Sequence, residues 1–210
     1  MKKILAVQIS ALIIISGALG GMLFFTDIYD DVQSNIVEIL CLSCLKLKYK
    51  TSKEFTFKTA NMKSHPDFVL DNLTQNPIFL YYSEDACPGC DIMHPVIEEF
   101  FNIEFGKQEM FFSIVDFEGS NVAFYHTNID HASEIMRNSI DIYDKDHVGG
   151  LPMFTIITLG YEHGSGNVNP YYTSLYSAFL DTYDERIDFF TVLMRESINL
   201  YTQNKAGYKK

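Results

Sequence analysis

Tryptophan is absent from the sequence and basic residues are scarce: 16 lysines and arginines stand against 27 aspartates and glutamates. The first 25 residues hold two of the bases and no acid, which leaves 14 against 27, or −13, on the remainder. A surface of that sign repels phosphate backbones and excludes nucleic acid as a partner. No internal repeat, low-complexity tract or Pro/Ser-rich linker interrupts the chain, which argues against solenoids and strings of domains. Cysteine is limited to four residues, arranged as Cys41-Leu42-Ser43-Cys44 and Cys87-Pro88-Gly89-Cys90, with no odd thiol left over. What is plentiful is apolar: 47% of the 210 residues are hydrophobic and 14% aromatic, enough for one good-sized core. One main domain is expected.

The longest uncharged run stands at the amino terminus. Met1-Lys2-Lys3 precedes residues 4 to 25, ILAVQISALIIISGALGGMLFF. A helix of that length spans roughly 33 Å at about 1.5 Å per residue, against a bilayer core of about 30 Å. Lysines before it and the acidic TDIYDD after it predict a single-pass membrane anchor with the domain facing outside the cytoplasm. The alternative is a signal peptide cleaved near Ser16-Gly17-Ala18, followed by secretion. Residues 26–52 then read as a connector that carries Cys41 and Cys44, residues 53–204 as the domain, and residues 205–210 as a tail.

Periodicities alternate along the domain. Strands are expected at 53–59, 77–83, 110–117 and 153–159, helices at 65–75, from Cys87 to about Phe105, and within 120–140. YEHGSGNVNP, 161–170, reads as a turn. Thr182 and Glu185 have capping-box spacing ahead of a helix whose stripe is Ile187, Phe190, Met194, Ile198 and Tyr201. The whole reads as an α/β fold on one central sheet.

FLYYSEDACPGCDIMHPVIEEF, residues 79 to 100, sets two cysteines three apart between a strand-like run and a helical one. With the strand leading into CPGC, Pro95 five positions after Cys90, and GGLPMFTII at 149–157, the sequence resembles the thioredoxin family. The resemblance covers about residues 53–204. It implies a three-layer fold, a central mixed sheet with helices on both faces, a cis Pro152 facing the cysteines, and a client backbone docking beside Leu151 and Pro152. Departures accompany it. Ala86 stands where the family has Trp, Tyr81 replaces a buried acid that assists proton transfer, Pro88-Gly89 reverses the usual Gly-Pro order, and 62 positions separate Cys90 from Pro152.

Cysteines at i and i+3 in a first helical turn share one face and can close a disulfide. The helix amino terminus favours a thiolate at Cys87, which makes it the attacking sulfur, with Cys90 deeper and more shielded as the resolving one. Two other readings stay open. CPGC can be a structural bridge, though so short a loop stabilises little. It can also join CLSC in a zinc site, though 42 intervening residues exceed the usual ribbon spacing. The expectation adopted is an extracytoplasmic thiol–disulfide oxidoreductase acting on protein thiols or disulfides, using neither metal nor cofactor. A membrane or thioredoxin-type electron donor would be its redox partner, and Cys41 and Cys44 form a candidate second redox pair. The rival is an exported, non-catalytic binding module with structural cysteines.

Among the histidines, His94 is expected half-exposed on its helix, and His147 either near the site or in a solvated loop. His65, His126, His131 and His163 show no metal-like pairing. Asn72-Leu73-Thr74 reads as a glycan acceptor or simply a helix end.

Overall fold

In the run from Ile78 to Ser83, which leads up to the cysteines, every residue is buried, as a strand in the middle of a covered sheet must be. A computed structural model describes residues 55–145, 147–176 and 182–210. The apolar span 4–25, the connector 26–52 with Cys41 and Cys44, and residues 53 and 54 lie outside the described residues. No helix among the described residues is long and apolar enough to cross a membrane.

Strand β1 (Ile78–Ser83) pairs in parallel with β3 (Ser120–Asn128) and antiparallel with β4 (Met153–Glu162). β2 (Phe111–Phe117) lies outside β3, and β5 (Asn167–Tyr176) outside β4. Among the described residues the sheet therefore runs β2-β3-β1-β4-β5 and is mixed. Four α-helices accompany it among the same residues: α1 (Asp67–Asn72), α2 (Pro88–Phe101), α3 (Glu134–Tyr143) and α4 (Tyr183–Asn204).

Strand alternation divides the core in two. Phe79 and Tyr81 face one side with Val96 and Ile97 of α2 and Phe190 and Leu193 of α4. Ile78, Leu80 and Tyr82 face the other with Val69 of α1 and Tyr143 of α3. Helices thus cover both faces, and the described residues form an α/β arrangement of three layers. The aromatic surplus fills the first core: Phe190 contacts Phe79 and Phe154 at ring-centroid distances of 5.6 and 5.0 Å.

Helix α4 starts where its cap demands. Thr182 Oγ1 accepts the Glu185 N–H at 3.2 Å and the Glu185 carboxylate accepts the Thr182 N–H at 3.0 Å. Phe190, Met194 and Tyr201 of the expected stripe are buried, with Ile187 and Ile198 half-buried beside them. Beyond α4, Tyr208 packs against the second core.

Several expectations change. In place of a strand at 53–59, Thr56 makes one isolated antiparallel bridge with Tyr172, while Phe57 stacks on Tyr171 at 4.3 Å. Helix α2 stops at Phe101 because Asn102 turns left-handed, φ 50° and ψ 52°, as a C-cap. The region 120–140 opens with a strand, because Glu118 and Gly119 both take positive φ, 52° and 81°, between the paired residues Phe117 and Ser120. A two-residue turn of that hand matches the twist of antiparallel strands, so the chain folds back as a hairpin and helix starts only at Glu134. Strand β5 was hidden by Pro170 and by polar residues in its first half; as an edge strand it tolerates a missing N–H. Asn72 is a helix-end tie: its amide donates to the Phe68 carbonyl and the Tyr125 hydroxyl, both at 2.7 Å.

Phe190 is fully buried among three aromatic rings of α2, β1 and β4. Phe190→Ala should cost about 3–5 kcal/mol in urea unfolding. A loss below about 1 kcal/mol would contradict this account of the core.

Candidate active site

Helix α2 begins at the residue the sequence marks for it. Pro88 occupies the first helical position, where its missing N–H costs nothing and its fixed φ suits the helix. Cys87 is the N-cap in extended conformation, φ −111° and ψ 97°, and its Sγ accepts the Cys90 backbone N–H at 3.0 Å. That bond satisfies one of the donors a helix start leaves unpaired. The two sulfurs are bonded at 2.04 Å, with Cα atoms 5.1 Å apart. In a dithiol form the same N–H and the helix dipole favour a thiolate on Cys87.

The expected difference in shielding is not found: Cys87 is 5% and Cys90 6% exposed. Folding the Cys87 sulfur back onto the helix start covers it as well as its partner. What separates them is position, since Cys87 caps the helix and Cys90 lies one turn inside.

The Leu151–Pro152 peptide is cis. Tyr82 pairs with Met153, so Pro152 sits level with Ser83 at the end of β1 from which the chain runs on to Cys87. Leu151 is half-buried and Pro152 buried. The approach to them is held by the buried Asp144. One carboxylate oxygen accepts the Val148 N–H at 2.9 Å and the Tyr176 hydroxyl at 2.8 Å, and the other accepts the Gly149 N–H at 2.8 Å.

A pocket of about 80 Å³ opens beside Cys90, lined among others by Tyr81, Asp91, His94 and Lys107. Tyr81 donates its hydroxyl to the Cys90 carbonyl at 3.2 Å, and burial pushes the phenol well above its ordinary range. It cannot stand in for an acid that exchanges protons near neutrality. His94 is 6% exposed, not half-exposed, because its ring lies against Phe105 at 4.2 Å and its Nε2 donates to the Phe105 carbonyl at 2.9 Å. His126 adjoins it at 5.8 Å and shares a 2.8 Å hydrogen bond with Ser83. Burial, aided by the neighbouring His94, lowers His126 to about 4; its Nδ1 makes no hydrogen bond of good geometry, and the Glu109 backbone supplies only a weak opposing pull. His147 is exposed in a loop and does not line the pocket.

The segment between β1 and α2 is stapled by residues the sequence did not single out. Asp85 accepts from the Asn128 amide at 2.9 Å and pairs with His131 Nε2 at 2.9 Å, while its own N–H donates to Asp130 at 2.9 Å. The Asn128 bond first, and His131 second, hold the Asp85 carboxyl below its ordinary value. Asn128 also donates to the Lys107 carbonyl at 2.9 Å. Nothing local signals these contacts, which join positions more than 40 residues apart in the case of Asp85.

Cys41 and Cys44 lie outside the described residues. Among the described residues no group of three or more His, Cys, Asp or Glu could hold a metal ion. Against protein-family models, curated proteins and solved structures, the chain finds no match.

His126 is neutral in the fold down to about pH 4, whereas the unfolded chain protonates it near 6.5. Between those values the unfolded state binds the extra proton, so this contribution to stability shrinks as pH falls. Wild-type stability relative to His126→Gln should drop by up to about 1.4 kcal/mol per pH unit from pH 6.5 toward 4 in urea unfolding. A pH-independent difference would contradict the neutral, buried assignment.

Proposed function

We propose that this protein is a thioredoxin-like thiol–disulfide oxidoreductase, anchored by residues 4–25 with its domain outside the cytoplasm, that exchanges disulfides with protein clients through Cys87 and Cys90. The observation that carries the reading is the Cys87–Cys90 disulfide at the start of α2, with the Cys87 sulfur receiving the Cys90 N–H. The order of elements supports it: a strand leads into the cysteines, α2 is followed by β2 and then by β3, which lies parallel to β1, and Pro152 precedes β4 at the same end of the sheet. In the proposed cycle the Cys87 thiolate attacks a client disulfide, one client sulfur leaves as thiolate, and Cys90 displaces the second client sulfur to restore the internal bond. Leu151 and Pro152 supply the extended backbone that a client pairs with.

One observation favours a second reading. Both sulfurs are nearly covered, as in a structural bridge, and on that view the domain is a non-catalytic binding module. The reduction potential separates the two. Equilibration in glutathione and thiol buffers should place the Cys87/Cys90 couple between about −120 and −270 mV. A value far below about −300 mV, in the range of inert structural disulfides, would overturn the exchange reading.

A further inference from the structure

Resolution of a mixed disulfide needs a proton to leave Cys90, a thiol in a nearly covered site where burial opposes the thiolate. We propose, resting on the exchange reading above, that His94 takes and returns this proton across the pocket that it lines together with Cys90.

Of the other titratable groups that line the pocket, all but Glu84 are tied to named partners. Tyr81, from β1, gives its hydroxyl to the Cys90 carbonyl. Asp85, from the loop after β1, is held ionised by Asn128 and His131, which makes it a weak base. Glu84 sits half-buried in the same loop and brings a second carboxylate to the rim. Asp91 of α2 pairs with Lys107 at 2.7 Å. His126 of β3 does not line the pocket and is bonded to Ser83.

His94 lies four residues after Cys90, on the same face of α2. Its Nε2 faces the Phe105 carbonyl at 2.9 Å, an acceptor only, so that nitrogen carries the proton. Glu98 Oε1, 3.4 Å from the same nitrogen, favours the imidazolium once formed. Nδ1 then holds the free lone pair. It has no hydrogen-bond partner among the described residues and is not among the atoms sealed from solvent, on a ring whose residue lines the pocket. Imidazole is the side chain best suited to exchange protons near neutral pH.

In the mixed disulfide, the Cys90 S–H proton passes through pocket water to His94 Nδ1, giving an imidazolium. The Cys90 thiolate attacks Cys87 Sγ, the Cys87–Cys90 bond forms, and the Cys87–client bond breaks. The client sulfur leaves as a thiolate and takes up a proton, which the imidazolium supplies through the same water. The dithiol of the protein is oxidised and the client disulfide reduced; reversal runs the same path.

Full-length protein carrying Cys41→Ser and Cys44→Ser, so that only two thiols report, is reduced and reacted with the aromatic disulfide dithiobis(nitrobenzoate). The first release of coloured thiolate reads attack by Cys87 and the second reads resolution by Cys90. His94→Gln keeps a donor for the Phe105 carbonyl and loses the base. It should leave the first release unchanged and slow the second roughly 10²-fold near pH 7, the deficit closing at high pH where hydroxide takes the proton. Equal second-phase rates at every pH would overturn the proposal. As a check without mutation, the NMR titration of the His94 ring should differ between dithiol and disulfide forms, and identical curves would equally overturn it. Should Cys87 react no faster in the folded than in the unfolded chain, the exchange reading itself fails, independently of His94.

Discussion

Strand β1 is hydrogen-bonded on both sides and buried on both faces, and the site depends on that double pairing. Its parallel pairing with β3 sets Ser83 against Asn128, and its antiparallel pairing with β4 sets Tyr82 against Met153. Three chain segments therefore meet at one end of the sheet: the one leading to Cys87, the one carrying Asn128 to His131, and the one carrying Leu151 and Pro152. A slip of one residue in either register would send Phe79 and Tyr81 to the wrong core, so the burial of alternate side chains enforces the meeting. The hydrogen bonds from Asp85 to the segment after β3 then fix the approach to α2 locally.

Two opposing effects act on the cysteines. Burial disfavours a thiolate on either sulfur, and it acts on both almost equally. The helix start favours the thiolate, but chiefly at Cys87, which receives a backbone N–H directly. A hydrogen bond to a charged acceptor contributes about 1.5–3 kcal/mol, and the dipole adds about 0.3–1 kcal/mol or more where solvent is excluded. Both effects favour the thiolate at Cys87 over Cys90, which distinguishes two sulfurs of equal burial. On the exchange reading the difference in role follows from the cap, not from access. It also explains why Cys90, without the cap, needs a base nearby.

Much of this architecture was legible in the sequence. An uninterrupted apolar run gave away β1, a capping box gave away α4, and Cys-Pro-Gly-Cys ahead of an amphipathic repeat gave away α2, because in each the signal is local. The return strand of the β2–β3 hairpin was not legible: its turn is Glu118-Gly119, without the Asn or Asp that usually announces a two-residue turn, and the helix expected within 120–140 starts only at Glu134. Strand β5 was missed because an edge strand can carry proline and polar residues. The Cys87–Cys90 spacing at a helix start was legible, and the cis Leu151–Pro152 peptide is what the family resemblance implied. The burial of His94 was not legible, since it depends on Phe105 returning across α2, and neither was the Asp85 staple, whose partners meet only once the sheet has formed.

The exchange reading requires that Cys87 form a covalent bond to client sulfur as an intermediate. Its most direct test is mass spectrometry of Cys90→Ser, in the Cys41→Ser, Cys44→Ser background, after mixing the folded, reduced protein with a disulfide-bonded test protein near pH 7. A stable one-to-one adduct through Cys87, released by reductant, is the predicted result. No adduct from the folded protein, where the unfolded chain reacts under the same conditions, would contradict that reading and leave the bridge structural.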